Sequence, residues 1–151
     1  MDRQSMMPLI LTATAESAAY SLNAPVPVAV TLQNLSRFPL LINARMGIGY
    51  EDGIVRELFF TVYASDGRVL PVLDEVRVDA HRMPPRKEDF RELAPGSTVT
   101  AVVDLNLWYR FSAPGMYRVV ITYENTWDLS EGGLTAWTGH VDSAPLPLLI
   151  E

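Results

Sequence analysis

Two histidines each stand two residues from an aspartate, in Asp79-Ala80-His81 and His140-Val141-Asp142. On a strand, where side chains alternate between faces, each pair would present an imidazole and a carboxylate on one side. Two such pairs meeting would supply the three or four converging ligands that zinc takes. Nothing in the spacing brings them together, and loop histidines in water are the simpler reading. Other chemistry is thinner still. No serine lies in Gly-x-Ser-x-Gly, and no Ser/His/Asp set stands out. The carboxylate pairs Glu51-Asp52, Asp74-Glu75 and Glu88-Asp89 are adjacent, so on a strand they would face opposite ways; they read as solvated loop charge. Gly47-x-Gly49 lacks the third glycine and the helix start of a phosphate cradle. Asn125, Asp128 and Glu131 precede Gly132-Gly133 and carry oxygen ligands, but without the order of a calcium-binding loop. No catalytic residue, metal or cofactor is expected.

The aromatic residues point elsewhere. Trp108 and Tyr109, followed by Arg110, lie between two strand-like runs; Trp127 and Asp128 lie in the next loop; Trp137 lies on the run after that. An exposed tryptophan beside a polar group suits anchoring a protein interface or stacking on a sugar ring. The structural alternative is that these rings cap the open ends of a core. That alternative is the expectation for Trp137, while Trp108 stays open between the two roles. Connections in a sandwich alternate between its two ends, which places Trp127 at the end opposite Trp108 and Tyr109.

The elements that must hold these residues are strands. Ala94-Pro95-Gly96 opens a run with Val99, Ala101, Val103 and Leu105 on one face. Ala113-Pro114-Gly115 opens another with Tyr117, Val119, Ile121 and Tyr123 on one face, and Tyr117 stands about where a tyrosine corner would. A period of two between Pro-Gly turns marks half-buried antiparallel strands. The same period runs through Leu9 to Ala15, Val26 to Leu32 and Leu58 to Val62, while Phe38 to Ile42 begins a further strand. Asp66-Gly67 predicts a hairpin with a type I′ turn, returning through Val69 to Val72. Leu73 to Glu92, with Pro84-Pro85, reads as a long surface connection. Leu134 to Val141 reads as the last core strand, and Ser143 to Glu151 as an extended tail placed to pair along an edge. Seven or eight short strands with these turns predict an immunoglobulin-like Greek-key β-sandwich, all-β and a single domain over 1–151.

Composition narrows the partners. The 151 residues include no cysteine, which excludes disulfides and thiolate-ligated metals. A net charge of −6, with dispersed basic residues, argues against nucleic acid. Met6 to Ala15 is apolar, but Asp2 sits where a signal peptide is basic, and Leu9, Leu11, Ala13 and Ala15 alternate with Thr12 and Thr14; a first strand is expected. No run approaches the roughly 20 apolar residues of a spanning helix, so no membrane insertion is expected, and a cytoplasmic location is favoured.

Two stretches carry a resemblance. Glu88-Asp89-Phe90, Leu93-Ala94-Pro95-Gly96-Ser97, Val103-Asp104-Leu105 and Tyr109 to Tyr117, with the earlier Val28 to Asn34, resemble the β-sandwich region N-terminal to the catalytic domain of bacterial deuterolysin-type zinc metallopeptidases. The His-Glu-x-x-His helix of those enzymes is missing, so the resemblance implies a fold and not peptidase activity. Phe60 to Gly67 and the later Leu-x-Pro-Gly turn also look similar to BsuPI-type intracellular proteinase inhibitors. Taken together, these readings predict a non-catalytic interaction module whose partner is a protein, with a peptidase the class the resemblance implies. Trp108, Tyr109 and Arg110 would form one contact patch, and Trp127 with Asp128 another. A carbohydrate-binding module and a free-standing structural domain are the alternatives.

Overall fold

The computed structural model describes residues 8–49, 57–73 and 85–151. Each apolar alternation in the sequence becomes one side of a strand. β1 (Leu9–Ala15), β2 (Pro27–Asn34) and β7 (Thr98–Asp104) form an antiparallel sheet in the order β1-β2-β7. The second sheet is built on β8 (Gly115–Asn125), flanked by β5 (Leu58–Tyr63) on one side and by β11 (Gly139–Asp142) and β12 (Leu146–Ile150) on the other. A two-residue β4 (Ile48–Gly49) extends it in parallel beyond β5. The chain passes from the first sheet to the second after β2, returns at β7 and crosses again to β8. Those crossings make the arrangement an immunoglobulin-like Greek-key sandwich.

The core lies between the sheets. Leu9, Leu11, Val28, Val30, Leu32 and Val103 face Leu58, Phe60, Val62, Val119, Ile121, Tyr123, Leu148 and Ile150 in one cluster. Burying side chains of this size removes each from water at a gain of about 1.5–3 kcal/mol. The corner is confirmed: the Tyr117 hydroxyl donates to the Ala113 carbonyl at 2.7 Å, and Phe111 meets the Tyr117 ring edge-on at 4.9 Å. A second tyrosine staples the opposite sheet, as Tyr20 accepts from the Glu16 and Ser17 amides and donates to the Pro27 carbonyl.

Several sequence expectations change. Gly67 alone has positive φ in the Ala64–Arg68 turn, so the hairpin is not type I′. The Gly67 amide donates to the Ala64 carbonyl and the Ala64 amide to the Arg68 carbonyl, a type I turn closed by a left-handed glycine. The return run Val69 to Val72 forms isolated bridges only, Tyr63 with Val69 and Val72 with Tyr109. Within the irregular stretch, Phe90–Leu93 is a strand, β6, which pairs with β3 (Leu40–Asn43). The run Leu134 to Val141 divides into β10 (Leu134–Thr135) and β11, and β10 makes a small hairpin with β9 (Ser130–Glu131) in the preceding loop. The described residues hold twelve strand segments where seven or eight strands were expected, because β4, β6, β9 and β12 add to the strands that the alternation marks. The tail is more than an edge, since Leu148 and Ile150 are core residues. Among the described residues, no helix is long and apolar enough to cross a membrane.

Candidate functional site

Three asparagines build one end of the sandwich. Asn34, Asn43 and Asn125 are the last residues of β2, β3 and β8, and all are fully or nearly buried. In each, the side-chain oxygen accepts the backbone amide two residues on, from Ser36, Arg45 and Trp127 respectively. An asparagine that closes such a turn supplies the carbonyl that a continuing strand would have offered. The remaining polar atoms cross between elements. Asn34 donates to the Phe38 and Leu93 carbonyls, and Asn43 donates to the Asn125 side-chain oxygen at 3.3 Å.

Asn125 does the most at this end. Its amide nitrogen donates to the carbonyls of Trp127 at 2.9 Å and Trp137 at 2.8 Å. Together with the Trp127 amide bond, this fixes both backbone polar groups of Trp127 to one buried side chain. Yet Trp127 is 46% exposed. It lines an open depression of about 410 Å³ together with Pro85, Phe90, Asp128, Leu129 and Ser130. The floor is apolar because Phe90 packs with Leu41 and Ala136 in a small cluster that Leu129 and Leu134 join. Nearby, Lys87 and Glu131 form an exposed ion pair at 3.5 Å.

Beside the asparagines lies a buried ion pair. Glu57 is 2% exposed and takes two hydrogen bonds from Arg45, at 2.8 Å each, plus the Gly47 amide at 3.0 Å. Met46, between them, adopts the left-handed region at φ 55°, which turns the chain so that Arg45 and Gly47 both reach the carboxylate. The Glu57 hydrogen bond also holds the Arg45 guanidinium above its ordinary pKa. The Tyr123 hydroxyl donates to the Asn43 carbonyl at 2.7 Å. Burial first, and then the Glu57 charge, push the Tyr123 phenol well above its ordinary range. Its folded form resists ionisation more than its unfolded form, so the related stability is whole below about pH 10 and falls as pH rises further. Melting temperatures between about pH 10 and 11.5 should therefore drop less steeply in Tyr123→Phe than in the wild type. Equal slopes would remove Tyr123 as a source of alkaline instability.

The two sequence patches meet different fates. Tyr109 is 2% exposed and its hydroxyl donates to the Phe60 carbonyl at 2.9 Å, so it belongs to the core and not to a contact surface. Trp108 follows a 3-10 turn at Leu105–Leu107 and packs partly buried against the main core, while Arg110 is exposed. Trp137 also packs on the core, 5.9 Å from the Tyr123 ring, and caps it as expected. β8 separates Trp108 from Trp127 along its whole length, which puts the two at opposite ends. Asn125 is committed to the loop backbone, so the oxygen-ligand reading of Asn125, Asp128 and Glu131 loses its first member. His140 is exposed on β11 opposite Glu124, and Asp142 accepts from Thr122. Asp79 and His81 lie outside the described residues. Among those described, no group of three or more His, Asp or Glu residues is placed to hold a metal ion.

No protein-family model matches the chain, and no curated protein matches it. Among solved structures the chain is similar to a CARDB domain from Pyrococcus furiosus, solved in complex with di-metal ions. The two share 12% identity and a TM-score of 0.42 over 95% of this chain and 87% of that chain.

Proposed function

We propose that this domain is a non-catalytic binding module that engages a protein partner through the depression at Trp127 and Asp128. One observation carries the reading: Trp127 is anchored by both its backbone polar groups to a buried asparagine, yet holds nearly half its surface in water. An anchored aromatic loses little freedom on binding, which is what favours a contact residue at an interface. Surface tryptophans without such a role are normally turned inward, as Trp108 and Trp137 are here. The carbohydrate alternative needs coplanar exposed rings, and the other two tryptophans are packed against the core. A peptidase is the partner class, on the sequence resemblance alone.

Trp127→Ala should abolish or strongly weaken cross-linked capture of the partner from native lysate. Because Trp127 is exposed and belongs to neither core cluster, the unfolding free energy should stay within about 0.5 kcal/mol of wild type. Arg110→Ala, at the far end, should leave capture intact. Capture unaffected by Trp127→Ala, or lost equally with Arg110→Ala, rules the reading out.

A further inference from the structure

The depression has one charged lining residue among those described, and that charge is negative. Asp128 has no hydrogen bond or ion pair with any described residue, whereas the neighbouring Glu131 is held by Lys87. An exposed tryptophan, a carboxylate on the next residue with no partner among the described residues, and an apolar floor of Phe90 and Leu129 are three features with complementary demands. The indole attracts a cation over its ring, and tryptophan does so best of the aromatic residues. The carboxylate attracts the same charge through an ion pair. The apolar floor suits the methylene stem of a long basic side chain, whose head stays near water. A neutral sugar would use the ring but leave the carboxylate's charge unanswered. An acidic residue would be repelled by Asp128 and by the net charge of −6.

We infer that the Trp127–Asp128 depression receives a lysine or arginine side chain presented by the partner protein. The inference rests on the binding-module reading and adds the chemistry of the occupant. The ends of the described hairpin agree with an extended partner. Among the described residues β9 pairs only with β10, so Asp128, Leu129 and Ser130 border a strand edge along which a partner segment can run.

The test uses the intact chain labelled with nitrogen-15 and follows the indole N–H resonances. Trp127 is assigned by its loss in Trp127→Phe. The probes are three blocked tripeptides, acetyl-Gly-Arg-Gly-amide, its lysine counterpart, and a citrulline version that has the shape of arginine without the charge. The arginine and lysine peptides should shift the Trp127 signal at concentrations about fivefold to tenfold lower than the citrulline peptide. Asp128→Asn, a conservative surface change, should erase most of that preference, and added salt should do the same to the wild type. Equal response to citrulline, a preference that survives Asp128→Asn, no response at Trp127, or a response to a neutral oligosaccharide in place of the peptides would each overturn the inference. If the peptides fail while Trp127→Ala still abolishes partner capture, the binding module stands and only its basic occupant falls. If capture is indifferent to Trp127, the module reading itself is lost.

Discussion

Arg45→Met should lower the unfolding free energy by about 3–5 kcal/mol, because it leaves the Glu57 carboxylate buried without its counter-charge. Glu57 is 2% exposed and Arg45 supplies two of its hydrogen bonds, so water cannot readily replace the guanidinium. The expected loss is a property of the broken pair and not a measure of what the pair contributes. Removing both charges, in Arg45→Met/Glu57→Met, should recover most of it, since no buried charge then remains. The Gly47 amide would still lose its acceptor, at about 1–3 kcal/mol if it stays unsolvated. Urea denaturation of the wild type, both single variants and the double variant closes the cycle. A single variant within about 1 kcal/mol of wild type would show that the pair is open to solvent.

The second large effect is at Tyr109. Tyr109→Ala should destabilise the fold by about 3–5 kcal/mol, the cost of emptying a buried aromatic site. The hydroxyl has its own role. β5 is bonded to β8 along its whole length on one side, but on the other side only its first residues meet β4. There the Leu70 amide donates to the Val62 carbonyl, and the Tyr109 hydroxyl donates to the Phe60 carbonyl. Tyr109→Phe should therefore cost about 1–3 kcal/mol by leaving a buried acceptor unpaired. Thermal and urea unfolding read both values. A Tyr109→Ala variant as stable as wild type, with reduced binding, would return this residue to the surface patch.

Much of the architecture was legible because alternation in β1, β2, β5, β7 and β8 is a direct consequence of strand geometry. The Pro114-Gly115-Met116-Tyr117 start was legible for the same reason, since a tyrosine corner depends on local spacing. Tyr109 was not. It follows Trp108 in a connection, and its burial depends on a 3-10 turn at Leu105–Leu107 and on the antiparallel bridge to Val72, a partner distant in sequence. The buried pair of Arg45 and Glu57 was missed because charged residues in loops are usually solvated, and only the left-handed turn at Met46 brings them together. Asn34, Asn43 and Asn125 look like ordinary turn formers. A usable signal was present for two of them: Asn34 and Asn125 each end an apolar alternation, so their side chains fall on the inward face and must find partners there, whereas Asn43 follows the unbroken apolar run Leu40-Leu41-Ile42. Trp127 was singled out from its residue type, and its placement at the end opposite Trp108 was legible from the alternation of connections. What sequence withheld was the anchoring of Trp127 by Asn125, which needs the Trp137 backbone and the β3 strand beside it.

Biosynthetic replacement of the three tryptophans by 5-fluorotryptophan gives three fluorine resonances, one for each ring, that report solvent contact and binding together. Trp127 should respond most strongly of the three to a water-soluble paramagnetic agent in the free protein, and Trp127 alone should move when the captured partner is added. A protected Trp127, or a partner that moves Trp108 while leaving Trp127 still, would contradict a binding face at this end of the sandwich.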